Sequence, residues 1–300
     1  MVENIKLKNL STSALLELDV TETPYYILDT VDWGQITASH HSYKYVNQVG
    51  VTVVSTTLET RDVEIVGWII ASTEQAMESR KKVLNRFVNP MQFINMQYKQ
   101  YNLDFKPTTT IKYTASVEEN NEVMCKFKIN GLAADPLFRD VKESKETAAN
   151  IISAFHFPLM INVEDNGLPT IMFGYKQPSL LINVYNKGDV KTGFRIIFKA
   201  KGTLVNPSLL NVSTQKYFKI NKTMVAGEEI EVDTVTGEKR VVGRLNGEES
   251  NYYKYKDLSS TWLELQVGDN VFRYDADEGM ENLEVYVYFS NRYLEVEGCY

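Results

Sequence analysis

Apolar and polar residues alternate in short runs through the first 140 residues of the chain. A period of two is typical of strands with one buried face, and Ser, Thr, Gly and Pro divide the runs as turns would. The pattern therefore predicts a β-rich first domain over residues 1–140.

One segment of this domain has a helical period instead. Residues 72–89 begin with Ser72 and Gln75 in the spacing of a capping box and end at Asn89-Pro90. Apolar residues recur on one helical face at Ala76, Val83, Leu84 and Phe87. The sequence predicts one long helix here, packed by that face against the sheet.

A change of composition separates two β-rich blocks. Residues 141–150 are charged and contain Val141 as their single large apolar residue, which predicts a linker. Residues 151–300 contain about ten further strand patterns at short, regular spacing. This spacing predicts a second domain with a β-sandwich fold, and the whole chain is predicted to be mainly β with one long helix.

A hairpin is predicted at residues 227–247 of the second domain. Gly237 and Gly247 provide the turn residues. Ile230 and Val232 share one strand face, and the alternate positions carry Glu229, Glu231 and Asp233. Alternation predicts that these three acidic side chains lie in solvent.

Composition and charge narrow the possible functions. The net charge of −7 makes the surface mildly acidic, which disfavours sequence-specific binding of nucleic acid. The two cysteines, Cys125 and Cys299, form no metal motif and no disulfide framework, so synthesis in a reducing compartment is expected. The N-terminal residues have no apolar core typical of an export signal, and no run is long enough to span a membrane, so membrane insertion is not expected.

The residue types that usually carry catalysis form no recognisable constellation. The histidines His40, His41 and His156 match no metal-binding spacing, and the common phosphate-binding and nucleophile motifs are absent from the sequence. Asp275, Asp277 and Glu278 do not have the spacing of a calcium loop, which favours a solvated turn. The sequence therefore predicts no enzyme, no cofactor and no metal.

Aromatic residues near the C-terminus leave two interpretations open. Exposed rings at Tyr252, Tyr253, Tyr255 and Trp262 would offer apolar faces to a sugar or a protein partner. The second interpretation places the same rings in the core or in a protein interface, and it is the favoured one.

Several motifs follow one another in a specific order. In the first half they are YYILDTVDWG, RDVEIVGWIIASTEQAMESRKKVLNRFVNP and FKINGLAADPLFRD. In the second half they are SLLINVYNKGDVKTGFRIIFKAKGTLVNPSLLN, EEIEVDTVTGEKRVV and LSSTWLELQVGDNVFRY. In this order and spacing they resemble the distal tail proteins of long, flexible-tailed bacteriophages (siphophages) and related prophages, over essentially the whole chain.

The resemblance implies a fold and a role. The fold is an N-terminal β-barrel-like, ring-forming domain followed by a galectin-like β-sandwich. The role is a homohexameric ring at the distal end of the virion tail, assembled from protein made in the host cytoplasm. The ring would join the tail tube protein to a tail-tip or tail-associated lysin protein, hold receptor-binding and other baseplate proteins, and leave a central channel for DNA. The family defines no catalytic residues that could be carried over.

A predicted hairpin around residues 40–60 is the expected arm between subunits of such a ring, with Tyr43, Tyr45, Val51 and Val53 at the interface. The alternative function is a carbohydrate-binding module that recognises bacterial surface glycans through Tyr252, Tyr253, Tyr255 and Trp262.

Overall fold

A computed structural model describes residues 4–20, 25–114, 123–147 and 180–296, together with the backbone of four short strands between residues 149 and 178. The chain forms two compact units. The first contains Met1–Lys142 and the C-terminal residues from Arg292, and the second contains Glu143–Asn291. The chain thus leaves the first unit once and returns to it at its end.

The first unit is built mainly of strands. Its elements are β1 (Asn4–Asn9), β2 (Leu15–Asp19), β3 (Tyr26–Asp32), β4 (Ala38–Tyr43), β5 (Thr52–Leu58), β6 (Arg61–Ile70), α1 (Glu74–Phe87), β7 (Ile94–Tyr98), β8 (Tyr101–Pro107), β9 (Lys112–Tyr113), β10 (Met124–Ala133) and β11 (Phe138–Asp140).

Seven of these strands close into a barrel-like sheet. Their order is β8-β7-β1-β2-β3-β6-β10, and β10 returns to β8 through the pairs Gly131↔Pro107 and Leu132↔Lys106. The close approach needs a glycine, because a Cβ atom at Gly131 would lie 2.2 Å from the Phe105 ring. Inward residues of the strands form one core with Trp33, whose ring centroid lies 5.3 Å from that of Tyr98. The predicted barrel-like fold of the first domain is confirmed.

The predicted helix is present, with two corrections. Its N-cap is Thr73 and not Ser72: the Thr73 side chain accepts a hydrogen bond from the Ala76 backbone N–H. Its buried residues are Met77, Leu84 and Phe87, whereas Val83, which was predicted to face the core, is 61% exposed. Met77 and Leu84 lie two turns apart on one face, and Val83 lies about 100° away from Leu84 around the helix.

The second unit contains most of the remaining strands. They are β12 (Ser144–Thr147), β13 (Ala149–Ile152), β14 (Asn162–Val163), β15 (Pro169–Thr170), β16 (Tyr175–Pro178), β17 (Leu181–Asn186), β18 (Arg195–Ala200), β19 (Leu204–Val205), β20 (Ser208–Asn211), β21 (Tyr217–Lys219), β22 (Thr223–Met224), β23 (Glu229–Asp233), β24 (Arg240–Leu245), β25 (Glu248–Asn251), β26 (Gly268–Asp275) and β27 (Leu283–Phe289). Two short 3₁₀ helices span Tyr253–Tyr255 and Met280–Asn282.

Two sheets of the second unit share one core. A six-stranded sheet has the order β12-β27-β18-β23-β24-β25, and a four-stranded sheet has the order β17-β26-β20-β21. Their inward side chains form a single apolar cluster in which Phe194 and Phe272 meet at 5.2 Å between ring centroids. The mainly β fold with a galectin-like second domain, predicted from the sequence, is confirmed.

Part of the segment predicted as a linker is a strand. β12 pairs with β27, with Ser144 opposite Phe289 and Thr147 opposite Tyr286. An edge strand of this kind is held by backbone hydrogen bonds and needs little apolar content, so its composition resembles that of a linker.

The last described residues also depart from the predicted domain range of 151–300. Strand β28 (Arg292–Tyr293) pairs with β11 of the first unit. The guanidinium of Arg61, a fully buried residue of β6, donates to the Leu294 carbonyl oxygen and lies 4.8 Å from the Phe138 ring centroid. The Glu295 carboxylate lies 3.6 Å from the same guanidinium. A carbonyl, an aromatic face and a carboxylate thus hold a buried cation that a strand pattern does not reveal.

The acidic hairpin forms as predicted, with one correction. β23 and β24 pair from Glu229↔Arg244 to Asp233↔Arg240, and Gly237 and Gly247 have the positive φ of turn residues. Glu231 and Asp233, however, are buried and do not lie in solvent. His156, Cys299 and the strand patterns predicted within residues 153–161 and 171–174 lie outside the described residues.

Candidate functional site

The hairpin of β4 and β5 in the first unit is exposed at nearly every position. These strands form a two-stranded sheet of their own, in which Ala38 lies opposite Leu58 and Tyr43 opposite Thr52. An isolated hairpin of this kind is only marginally stable in water. The loop is ordered locally, because the Tyr45 N–H donates to the Gln48 side-chain oxygen at 2.9 Å.

The hairpin presents apolar side chains to solvent. All four residues predicted at the subunit interface are exposed, and they are joined by other exposed apolar residues; together we call them the hairpin patch: Tyr43, Tyr45, Val46, Val49, Val51, Val53, Val54 and Leu58. Val46 and Val49, at the tip, are 93% and 100% exposed. A register shift between His41 and Ser42 places Val53 opposite Ser42.

Two tyrosines of the hairpin patch are fixed against each other. The rings of Tyr43 and Tyr45 meet edge to face, with centroids 4.8 Å apart, and the Tyr45 hydroxyl donates to the Tyr43 hydroxyl at 3.2 Å. The residues 38–58 contain no acidic side chain and one lysine. The hairpin therefore exposes a nearly neutral set of apolar side chains, and exposed apolar residues in such number are typical of protein interfaces.

A second apolar surface of the first unit lies between α1 and β2. It is a groove of about 540 Å³, which we call the helix groove. Leu15 and Val83, which are 75% and 61% exposed, lie on its two sides, and Leu84 and Phe87 are among its other lining residues.

The aromatic residues predicted as a contact site in the second unit occupy different positions. Tyr252 and Tyr255 pack against the core, with their rings 5.2 Å apart. The Tyr252 ring fills the space where a Cβ atom of Gly243 would lie. Burial, together with a hydrogen bond to Glu228, raises the pKa of Tyr252. Both tyrosines are thus half-buried against the core, and their assignment as contact residues stays a prediction.

Tyr253 is the exposed residue of this aromatic cluster. Tyr253 is 51% exposed. The partly buried ring of Trp262 lies 6.2 Å from that of Tyr253, at 34° between the ring planes. The Trp262 ring also packs against the buried ring of Phe218, with the two centroids 5.1 Å apart.

A small groove extends from Tyr253 along the edge of the six-stranded sheet, and we call it the aromatic groove. Its volume is about 250 Å³. Its lining includes Lys239, Arg240, Glu249, Ser250, Asn251 and Tyr253.

A buried carboxylate organises the charged residues beside this groove. The Glu231 side chain, 3% exposed, accepts from Arg240 at 3.0 Å and from Arg244 at 2.8 Å, and Arg195 lies 3.6 Å away. Burial alone would raise the pKa of Glu231, but the Arg244 hydrogen bond and the three guanidinium charges outweigh it and hold that pKa below its usual value.

The pKa of Asp233 is shifted in the opposite direction. Its burial raises the pKa above the usual value, because the one hydrogen bond from the Val235 backbone N–H and the more distant Arg240 do not compensate for lost solvation. Two carboxylates on one strand face thus have opposite pKa shifts.

The other sites considered from the sequence carry no cluster of ligands. His40 contacts the Thr56 hydroxyl at 2.9 Å on the exposed hairpin. Asp277 is paired with Lys219 at 2.8 Å, and that hydrogen bond is the main cause of its lowered pKa. Within the described part of the chain, no group of three or more His, Cys, Asp and Glu residues is placed to hold a metal ion, and no helix is long and apolar enough to cross a membrane.

The helix groove and the Glu231 cluster were not predicted from the sequence. For Glu231 a signal was available, since Arg240 and Arg244 alternate on the partner strand of the hairpin. For the helix groove there was none, because it depends on where β2 lies relative to α1.

Comparison with known proteins bears on both units. The family described as "Siphovirus-type tail component, C-terminal domain" matches residues 187–293. The crystal structure of Dit of phage SPP1, described as a paradigm of hub adsorption apparatus in phages that infect Gram-positive hosts, is similar with a TM-score of 0.65 at 12% identity, covering 96% of this chain and 98% of that one.

Two structures of a phage p2 baseplate in its activated conformation are also similar. The one with Ca has a TM-score of 0.52 at 12% identity, and the one with Sr has 0.52 at 10% identity; each match covers 96% of this chain and 98% of the other. No curated protein sequence matches the chain. The resemblance predicted from the sequence is confirmed by these matches: residues 187–293 match a siphovirus-type tail component domain, and the chain has a fold similar to that of SPP1 Dit.

Proposed function

We propose that this protein is a structural hub of a phage tail that acts as a homohexameric ring at the distal end of the tail. The observation that carries the proposal is the hairpin patch, which exposes eight apolar residues on a hairpin that pairs with no other strand in the described part of the chain. Such a hairpin gains stability when a neighbouring molecule covers it.

A closed ring requires two different patches on each subunit, because its interfaces are head to tail. The first unit has two candidates, the hairpin patch and the helix groove. We propose that the hairpin patch of one subunit packs against the next subunit and that the helix groove is the apolar surface that receives it. Two cationic residues, Lys82 and Arg86, line the helix groove. The hairpin carries one lysine, Lys44, so charge repulsion between the two surfaces would be small.

The ring defines the remaining roles. Its upper face would bind the tail tube protein and its lower face a tail-tip or lysin protein, while the second unit would hold receptor-binding and other baseplate proteins. The net charge of −7 per chain suits a central channel through which DNA passes without adhering. In this role the protein is non-catalytic, belongs to the virion tail and is made in the cytoplasm of the host.

Mass photometry and negative-stain electron microscopy of the full-length chain test the ring. Six copies of the 34.3 kDa chain come to about 206 kDa, and a closed ring of that mass with a central opening is the expected result. The measurement is repeated with the tail tube protein and the tail-tip protein added. A chain that remains at 34.3 kDa under both conditions contradicts the proposal.

A further inference from the structure

The aromatic groove of the second unit has features that a scaffold does not require. It lies at the edge of the six-stranded sheet, where the turn before β24, strand β25 and the 3₁₀ helix that begins at Tyr253 come together. Neither the hairpin patch nor the helix groove includes any of its residues.

One side of the groove is aromatic. Half of the Tyr253 surface is exposed. The Trp262 ring lies next to it, with the two centroids 6.2 Å apart and the ring planes inclined by 34°. Trp262 is in turn fixed by Phe218 and by the Lys256 ammonium, 5.8 Å from its ring centroid. Tyr253, the aromatic residue that lines the groove, is thus an apolar ring supported from behind by Trp262. The C–H face of a pyranose ring packs on such a surface while its hydroxyls remain free to make hydrogen bonds.

The polar residues that line the groove are held in place. Arg240 is fixed by the buried Glu231 carboxylate at 3.0 Å, and Glu249 is fixed by the Arg244 Nε at 3.0 Å. Asn251 accepts the Tyr253 backbone N–H at 2.9 Å, which orients its amide. Charged and amide groups that are already ordered lose little conformational entropy when they bind a ligand.

These polar residues offer both donors and acceptors. Lys239, Arg240 and the Asn251 amide nitrogen donate, the Glu249 carboxylate accepts, and the Ser250 hydroxyl does both. Vicinal hydroxyls of a sugar also donate and accept, so they match a mixed set better than a set of one kind. Two cations against one carboxylate additionally suit an acidic substituent on the sugar.

The size of the groove limits the ligand. About 250 Å³ is below the roughly 300–1,000 Å³ of pockets that hold drug-sized molecules, which corresponds to one ring of a longer chain. A peptide that binds as an additional strand of the sheet is disfavoured as the ligand, because β25 places Glu248 and Glu249 on the exposed edge.

We propose that the aromatic groove binds one pyranose unit of a saccharide chain, with the ring stacked on Tyr253 and its hydroxyls held by Arg240, Glu249 and Asn251. This site is additional to the hub role and does not depend on ring formation. A tail protein with it would make a direct contact with glycans.

Saturation-transfer difference NMR on the full-length chain tests the proposal, with each sugar at about 10 mM because a single ring is expected to bind with a millimolar Kd. The probes are methyl β-D-glucopyranoside, methyl β-D-galactopyranoside, N-acetyl-D-glucosamine, L-rhamnose and glucose 6-phosphate. Comparison of the four neutral sugars with the anionic glucose 6-phosphate shows whether Lys239 and Arg240 select a charged substituent. At least one probe is expected to give a saturable signal.

Three variants locate the signal. Tyr253→Ala is expected to weaken binding at least tenfold. Tyr185→Ala, a matched control at a tyrosine of similar exposure on β17 of the other sheet, leaves binding unchanged. Lys239→Ala weakens only the anionic probe. Circular dichroism melting confirms that each variant is folded. No signal from any probe with the wild-type chain, or a signal that Tyr253→Ala leaves intact, overturns the proposal.

Discussion

Two hairpins with similar sequence patterns have opposite surroundings in this protein. The β4–β5 hairpin is rich in valine and tyrosine, and these residues are exposed. The β23–β24 hairpin carries alternating acids, yet Glu231 and Asp233 are buried. Alternation identifies the two faces of a strand, but the neighbouring strands decide which face meets solvent.

The reason lies in what each hairpin pairs with. β23 lies between β18 and β24, so its outer face is flanked by Arg195 on one side and by Arg240 and Arg244 on the other. The long arginine stems cover the carboxylates, and the guanidinium groups satisfy their charge. β4 and β5 pair only with each other, so nothing in the described part of the chain covers their apolar side chains.

The largest expected effect concerns the exposed hairpin. In the double variant Val51→Glu and Val53→Glu, a charge at each position would be buried without a partner in a subunit interface, so the species of about 206 kDa should disappear. Mass photometry measures this loss.

The matched control is Val267→Glu, at a valine of comparable exposure in the second unit, and it should leave the ring intact. Because Val51 and Val53 are exposed in the single chain, the melting temperature of the dissociated double variant should be nearly that of the wild type. A ring that survives the double substitution would show that the hairpin patch is not the subunit contact.

A smaller effect is expected at the buried acid. Glu231→Ala leaves three guanidinium groups without their shared carboxylate and should destabilise the second unit by about 3 kcal/mol, the low end for breaking a buried ion pair, because the arginines are partly hydrated. Scanning calorimetry of the full chain measures it.

Glu229→Ala is the control on the same strand. Its carboxylate pairs with Lys199 at 2.6 Å near the surface, so the loss should be under about 1 kcal/mol. Equal losses for the two variants would show that the buried cluster adds no more stability than a surface pair.

The pH dependence of stability should identify Glu231 directly. Its folded pKa lies below the usual 4.5, so its contribution is fully present above pH 4.5 and is lost as the pH falls through the lower pKa of the folded state. In Glu231→Gln the melting temperature should therefore fall less steeply with decreasing pH below pH 4.5 than it does in the wild type. A slope identical to that of the wild type would mean that another group controls acid unfolding.

The smallest effect, with the opposite sign, is expected at Asp233. Burial raises its folded pKa above the usual 3.8, so the stability linked to its protonated form is lost as the pH rises through that folded pKa. Asp233→Asn keeps the acceptor for the Val235 backbone N–H and removes the charge, so it should raise the melting temperature slightly at pH 7 and leave it unchanged near pH 3. A lower melting temperature at pH 7 would indicate that the Arg240 interaction outweighs the cost of burial.

Local patterns were sufficient for the element types. The alternation in the strands, the glycine turns at Gly237 and Gly247 and the end of the helix at Phe87, just before Asn89-Pro90, all depend on interactions within a few residues, so the sequence predicts them to within a residue or two. The order of the longer motifs carried the family resemblance, from which the barrel and the galectin-like sandwich followed.

Long-range contacts decided the rest. The exposure of Val83, the burial of Glu231 and the packing of Tyr252 against the core depend on which strand or ring lies beside each residue, and those neighbours are distant in sequence. The return of Arg292–Tyr293 to the first unit depends on a partner strand more than 150 residues earlier in the chain. The sequence by itself determined the strands, turns and helix of this protein, and only the tertiary structure decided which of their faces are buried and which are available to partners, because burial is a property of neighbouring elements.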